Sequence, residues 1–154
     1  MATMKAKMPD DLIKKITKLG EKTDEICEKA LQAGAEIVEK AVSSNLEAVI
    51  GKDTKYESRS TGELQDALGI SPVGIDKKGN YDIKIGFDEP REEQNAAKGK
   101  RSYGELTNAM IANVLEYGKQ GQPPKPFLKP AQRSSQKPAK AKMIEILESE
   151  VENI

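Results

Sequence analysis

The two residue types most often used as a general base or as zinc ligands, histidine and cysteine, are almost absent from this chain. The 154-residue sequence contains no histidine and one cysteine, Cys27, so the commonest general base and the usual zinc ligand sets are missing. Adjacent carboxylates occur at Asp10-Asp11 and Glu92-Glu93, where paired acids could perform general acid and base catalysis. Sequence neighbours do not face each other on a helix, and both pairs lie among basic residues, so solvated surface is the favoured interpretation.

Two further patterns resemble functional sites only in part. The segment 76–82, DKKGNYD, has oxygen-bearing side chains, but their spacing and the missing closing glutamate do not fit a calcium loop, so we predict a turn. Cys27 lies among apolar residues at helical spacing, which favours a small buried side chain over a reactive thiol. No glycine-rich phosphate loop occurs. We therefore predict that the protein is not an enzyme and needs no cofactor.

The composition limits the remaining classes. Lys plus Arg and Asp plus Glu each total 25, giving zero formal charge, whereas a general nucleic-acid or membrane-surface binder usually carries a basic excess. The length of 154 residues predicts one domain over 1–154. Hydrophobic residues make up 36% and aromatic residues 4%, so we predict a modest core, stabilised by further copies. Neither a signal peptide nor an apolar run long enough to span a membrane is expected, which predicts a cytoplasmic origin and no membrane partner.

Periodicity predicts an α+β fold, in which a long N-terminal helix and a C-terminal helix pack on a small antiparallel sheet containing a β-hairpin. Apolar residues three and four apart indicate one helix over 10–50, with Gly20 and Gly34 as kinks or close helix contacts. A Thr-Gly-x-Leu turn at 61–64 opens a short helix that Gly69 is expected to end. Alternation over 81–87 and the turn at 76–80 predict the hairpin, with Pro72 at an edge or a bulge.

The rest of the chain is predicted as two mobile polar loops, 88–104 and 119–126, and two helices. The helix over 105–117 should carry Leu106, Met110, Val114 and Tyr117 on one face, with Ile111 and Leu115 beside it. A last helix should begin near Pro130 and kink or restart at Pro138. Its predicted apolar edge consists of Met143, Leu147, Val151 and Ile154. A third strand could come from 52–59, from 120–128 or from a neighbouring subunit.

Charge is unevenly distributed along the C-terminal part of the chain. The interval from Lys119 to Lys142 contains seven basic residues and no acid, and four glutamates follow between 145 and 152. The candidate contact strip consists of Lys119, Lys125, Lys129, Arg133 and Lys137. Such a strip is either solvated surface or a surface that meets an acidic partner or makes non-specific contact with passing DNA.

A short apolar segment follows the polar loop. Phe127 and Leu128 lie between Pro126 and Pro130, which restrict the backbone and lower the entropy lost when the pair is fixed. Such an anchor could fill the core of its own domain or dock on a neighbouring chain. We favour the core for Phe127, which leaves the loop before it to face a partner.

These residues lie within the segment 114–131, VLEYGKQGQPPKPFLKPA. It resembles the C-terminal signature of the tail-completion family (minor tail component, head–tail joining) of long-tailed bacteriophages. Glu116, Tyr117 and Gly118 match its first part, and Pro126, Phe127, Leu128, Lys129, Pro130 and Ala131 match its second part. All of these residues except Lys129 and Ala131 are our candidate structural or interface anchors. The segment 60–68, STGELQDAL, is similar to a second landmark of that family.

The resemblance implies a virion structural protein similar in role to tail terminators. Such proteins form a ring, usually hexameric, at the neck or collar, where the ring caps the tail tube and joins it to the head connector. The implied partners are further copies of the chain, the tail tube protein, and head connector, collar or sheath proteins. The implied location is a virion, or a prophage-derived tail-like particle, assembled in the bacterial cytoplasm. The alternative is a small nucleic-acid-contacting or assembly-chaperone protein that uses the basic segment 119–142.

Overall fold

The computed structural model describes residues 10–52, 62–87 and 107–154. In chain order the elements are α1 (Asp10–Val49), α2 (Glu63–Asp66), β1 (Leu68–Ile70), β2 (Gly74–Ile75), β3 (Tyr81–Asp82), β4 (Ile85–Phe87), α3 (Asn108–Tyr117) and α4 (Leu128–Glu152). The predicted fold class is confirmed: α1 packs on α4, and small antiparallel strand pairs complete a mostly helical α+β fold. The loop predicted at 88–104 lies outside the described residues, as does most of the strand candidate 52–59.

The two long helices run antiparallel and approach each other closely. The Lys29 ammonium of α1 lies 3.2 Å from the Glu150 carboxylate of α4, and further along, the Asn45 amide donates to the Phe127 carbonyl at 3.3 Å. Between these contacts Gly34 lies against Met143, where a Cβ on the glycine would come 2.0 Å from the methionine Cε. Gly34 therefore marks a close helix contact, which was one of the two predicted roles.

The main core lies at the C-terminal end of α1. Its buried members come from α1, α2, α3 and the start of α4, namely Val42, Leu46, Leu64, Ala112, Phe127 and Ala131. The predicted helix over 10–50 is confirmed, but the first fully buried apolar residue of α1 is Ile26. Ile16, nearer the other end, is 52% exposed. The subunit is thus packed tightly at one end of α1 and more openly at the other.

The predicted hairpin forms as two short ladders joined by a bulge. In the outer ladder Ile75 faces Tyr81, and in the inner ladder Ile70 faces Ile85. Residues 71–73 therefore oppose only 83–84, so the first strand has one extra residue at Pro72, as predicted. The Ser71 hydroxyl accepts from the Lys84 N–H at 2.9 Å, and the Ser71 N–H donates to the Lys84 carbonyl at 2.8 Å.

The turn of the hairpin is held by an acidic side chain. The Asp76 carboxylate accepts from the backbone N–H groups of Lys78 at 2.7 Å and Asn80 at 2.9 Å. These hydrogen bonds hold the pKa of Asp76 below its ordinary value, and the largest contributions come from the backbone and side chain of Asn80. The Tyr81 hydroxyl donates to Asp24 of α1. The segment 76–80 is therefore a turn, as predicted, and the hairpin is tied to the long helix.

The short helix ends earlier than the sequence suggested. Its last residue is Asp66, and Ala67 follows as its C-cap. Gly69 lies inside β1, opposite Gly86, so the prediction that Gly69 ends the helix is wrong. Because strand pairing with β4 already begins at Leu68, no room remains for another helical turn.

The predicted apolar face of α3 is also wrong in part. Met110 and Tyr117 are 50% and 64% exposed, and Leu106 lies outside the described residues. The buried positions are instead Asn108, Ala112 and Glu116. The helix is rotated relative to the prediction because the buried side chain of Glu116 is bound by the start of α4.

The last helix runs through Pro138 without interruption, so the predicted restart is wrong. Pro138 is exposed, which lets water reach the carbonyl that loses its helical donor. Only part of the predicted apolar edge is packed within the subunit. Met143 packs against Gly34, whereas Leu147 and Val151 are 37% and 49% exposed. No strand forms within 120–128, where Leu128 already begins α4.

Candidate functional site

A single carboxylate joins α3 to α4. The Glu116 side chain accepts from three consecutive backbone N–H groups, those of Phe127 at 2.8 Å, Leu128 at 2.9 Å and Lys129 at 3.1 Å. These are among the N–H groups that a helix leaves without an internal partner at its first turn. Phe127 is the N-cap residue and offers no side-chain acceptor. Glu116 therefore serves as the cap of α4 although it lies 11 residues upstream.

The environment of Glu116 favours its ionised form. Glu116 is 4% exposed, and burial by itself would raise its pKa. The N–H donors of Leu128, Phe127 and Lys129, together with the Lys129 charge, outweigh this effect and hold the pKa of Glu116 below its ordinary value. The positive end of the helix dipole acts in the same direction. The cap is thus strongest when the carboxylate is charged.

Gly118 lets the chain turn directly after Glu116. Its φ is +75°, and its N–H donates to the Val114 carbonyl at 2.8 Å to end α3. A Cβ at this position would lie 2.8 Å from both the Gln122 carbonyl oxygen and the Pro124 nitrogen. These backbone atoms cannot easily move away, so another residue would be strained here.

The segment predicted as a mobile loop, 119–126, contains a closed turn. Lys119 and Gln122 exchange two backbone hydrogen bonds of 3.0 and 2.9 Å around Gly121, whose φ is +79°. The backbone N–H of Lys125 then donates to the Leu115 carbonyl at 2.6 Å. The side-chain ammonium of Lys125 donates to the Lys52 carbonyl. The mobility of the loop stays a prediction, but these bonds tie its C-terminal end to α3 and to Lys52, which follows α1.

Phe127 lies at the centre of the core. It is fully buried, and its ring meets Phe87 of β4 edge-on, with the centroids 6.2 Å apart. Leu128 is half-buried against the same cluster, whereas Pro126 and Pro130 are exposed. Phe127 therefore occupies the core position we favoured, whereas Tyr117, another candidate anchor, is 64% exposed.

The basic strip is only partly continuous in the fold. Lys129, Arg133 and Lys137 are four residues apart, so they share one face of α4, and all three are exposed. The Lys129 ammonium lies 5.0 Å from the centre of the Tyr117 ring, a cation–π distance. Lys125 is half-buried and bound to Lys52, and Lys119 lies at the closed turn. The structure therefore brings three of the five predicted cations together along α4.

The capping role of Glu116 was missed by the sequence reasoning. The sequence signal that could have identified it is the start of α4, where Phe127 stands in place of a Ser, Thr, Asp or Asn cap. A helix that begins without such a residue needs an acceptor from elsewhere. Sequence alone does not identify which acid supplies it, because the partner lies on another helix.

Two kinds of feature were sought in the part of the chain that the structure describes, a cluster of metal ligands and a membrane-spanning helix, and neither was found. Within 10–52, 62–87 and 107–154, no group of three or more His, Cys, Asp or Glu side chains could hold a metal ion. None of the helices in these ranges combines the length and apolarity needed to cross a bilayer.

Comparison with known protein families gave a match over most of the chain. The family described as "Bacteriophage HK97-gp10, putative tail-component" matches residues 10–118, which include α1, the hairpin and all of α3. The searches of curated proteins and of solved structures found no match. The matched range ends at Gly118, so α4 and the Phe127 segment lie beyond it.

Proposed function

Since this chain belongs to the HK97 gp10-like family of bacteriophage tail components, we propose that it is a tail-completion or tail-terminator subunit. Copies of the chain form a ring, with six as the expected number, at the head-proximal end of the tail tube. The ring stops the tube from growing and presents a surface to the head connector, collar or sheath proteins. In a prophage-derived tail particle without a head, the same ring caps the tube.

The observation that carries this proposal is the amount of apolar surface left uncovered on separate elements. Ile75 of the hairpin is 66% exposed, Tyr117 of α3 is 64% exposed and Ile144 of α4 is 54% exposed. Scattered exposed apolar residues are normal on a monomer. Here they accompany a small core with few aromatic side chains. Such a chain gains stability when neighbouring copies cover these surfaces.

The sheets support the same interpretation. Each described sheet contains two strands, so both strands of each ladder have an edge with unpaired N–H and C=O groups. Isolated two-stranded ladders are marginally stable in water, and an open edge is a site where another chain can add a strand. A neighbouring subunit could complete the sheet, as the sequence already suggested.

The mechanism is geometric. A rigid subunit is needed so that the ring has one diameter, and the buried Glu116 cap and Phe127 fix α4 relative to α3 and α1. The ring ends tube growth because its outer face does not offer the surface that a further layer of tube protein requires. No chemical step is involved.

The test measures tube length and ring formation together. Tail tube protein is allowed to polymerise alone and with this chain, and the products are imaged by electron microscopy with a label on the added chain. We expect six-copy rings at one end of the tubes and an arrest of growth at that end. Label distributed along the tubes, or a chain that stays single in both conditions, would contradict the proposal. Albumin at equal mass is the control for crowding.

The nucleic-acid alternative has one observation in its favour, the exposed row of Lys129, Arg133 and Lys137 on α4. The same helix continues with four glutamates and no further cation after Lys142. A nucleic acid lying along α4 would therefore meet acidic side chains over its second half. The sign change counts against a nucleic acid and favours a partner with both charges.

A further inference from the structure

The outward face of α4 carries a regular row of side chains. Its members alternate four and three residues apart and are all exposed, namely Arg133, Lys137, Lys140, Ile144, Leu147 and Val151. The buried positions Ala131, Ser135 and Ala139 lie on the opposite side of the helix. The spacing of the outward row is that of a helix seam that packs against another helix. We refer to this row as the α4 seam.

The two halves of the α4 seam differ in charge. The first half is basic, and Tyr117 with Lys129 lies beside its start. The second half is apolar, and Glu148 and Glu152 flank it in exposed positions. Neither glutamate has an ion-pair partner among the described residues, whereas Glu150 pairs with Lys29 and Glu145 with Lys142.

We propose that the α4 seam is the contact between neighbouring copies of this chain. The acidic, apolar second half of one copy docks on the basic first half and Tyr117 of the next. The inference rests on the proposed ring function. Each copy then uses two different surfaces, and a head-to-tail contact of this kind closes into a ring when the rotation fits. An apolar centre with a charged rim is typical of a protein interface.

Charge complementarity favours a second copy of the chain over other partners that could bind the α4 seam. An acidic partner would fit the first half of the seam and be repelled by Glu148 and Glu152 in the second half. A basic partner would be repelled by Arg133 and Lys137 instead. A second copy of the chain presents both signs and can match each half with its opposite.

The test reverses the charge of each half of the α4 seam in a separate variant. One variant carries Glu148→Lys and Glu152→Lys, and the other carries Arg133→Glu and Lys137→Glu. All four positions are exposed, so both variants should fold, which circular dichroism checks. Each variant alone should associate at least about tenfold more weakly than the wild type, because like charges then face each other across the contact.

Mixing the two variants gives the decisive measurement. In the mixture every contact pairs opposite charges again if the two variants alternate around the ring. We expect the equimolar mixture to regain the wild-type mass in analytical ultracentrifugation, with tube protein added if the wild type needs it. Glu21→Lys with Glu28→Lys, two exposed positions on α1, makes the same charge change away from the seam and should leave association unchanged.

Several results would overturn the seam contact. If both variants assemble alone like the wild type, the contact lies elsewhere while the proposed ring function stands. If the mixture stops at pairs where the wild type forms a larger ring, the head-to-tail arrangement is wrong. If the wild type binds a DNA duplex in a salt-dependent manner, and Arg133→Glu with Lys137→Glu removes only that binding, the basic half serves a nucleic acid. A wild type that stays single with and without tube protein instead refutes the ring function itself.

Discussion

The two ends of α4 differ in how completely the rest of the same subunit buries their apolar side chains. At the first end, Glu116 caps the helix and Phe127 and Ala131 are fully buried. At the second end, Ile144, Leu147 and Val151 remain 54%, 37% and 49% exposed. Both ends contain large apolar side chains, so composition does not explain the difference. The first end is completed within one subunit, and we infer that the second is left to be completed by assembly.

The largest effect should come from truncating the centre of the first end. Phe127→Ala removes a fully buried ring that contacts Phe87, and we expect the free energy of unfolding to fall by about 3–5 kcal/mol. Ile144→Ala at the second end should change it by less than about 0.5 kcal/mol in the single subunit. Denaturant unfolding followed by circular dichroism measures both. Equal losses for the two variants would remove the contrast between the ends.

A smaller effect is expected from the cap. Glu116→Gln keeps the size of the side chain but replaces one acceptor oxygen with an amide that cannot accept from the N–H groups of α4. We expect a loss of about 1–3 kcal/mol in unfolding free energy, which is typical of a buried group left without its partner. Glu148→Gln at the exposed second half is the matched control, for which a change below about 0.5 kcal/mol is expected.

The cap also predicts a pH dependence. The pKa of Glu116 is lower in the folded chain than its ordinary value of 4.5, so the charged cap stabilises the fold fully above that value. This stabilisation is lost as the pH falls through the lower folded pKa. The advantage of the wild type over Glu116→Gln should therefore shrink between pH 7 and pH 3. Asp76 also has a lowered pKa, but it is present in both proteins and its contribution cancels. A constant difference across this range would mean that charge is not what the cap uses.

The sequence predicted the architecture better than the site. The spacing of apolar residues predicted α1, and the period-two alternation predicted the hairpin. Pro72 predicted an edge or a bulge, of which the bulge is observed. Each of these features depends on local chemistry. The predicted orientation of α3 was wrong because the orientation depends on Glu116 binding N–H groups 11 to 13 residues away. Pro138 was given too much weight, since a proline on the exposed side of a helix costs less than one that leaves a buried carbonyl unpaired. Hydrogen bonds between distant residues, such as those of Glu116, leave no periodic pattern in the sequence from which they could be predicted.

The smallest expected effects on stability come from two glycines of α1, and they should show how far along α4 the tightly packed part extends. Gly34 and Gly20 both lie in α1, but a Cβ would strike Met143 at the first and meet nothing within 4 Å at the second. Gly20→Ala should therefore stabilise the helix by about 0.5–1 kcal/mol, because alanine has the better helix propensity. At Gly34 the same gain is opposed by overpacking between α1 and α4, which typically costs about 1–3 kcal/mol. We expect Gly34→Ala to lower the melting temperature and Gly20→Ala to raise it. If both raise it equally, Met143 moves aside freely, and the tightly packed part of α4 ends before this residue.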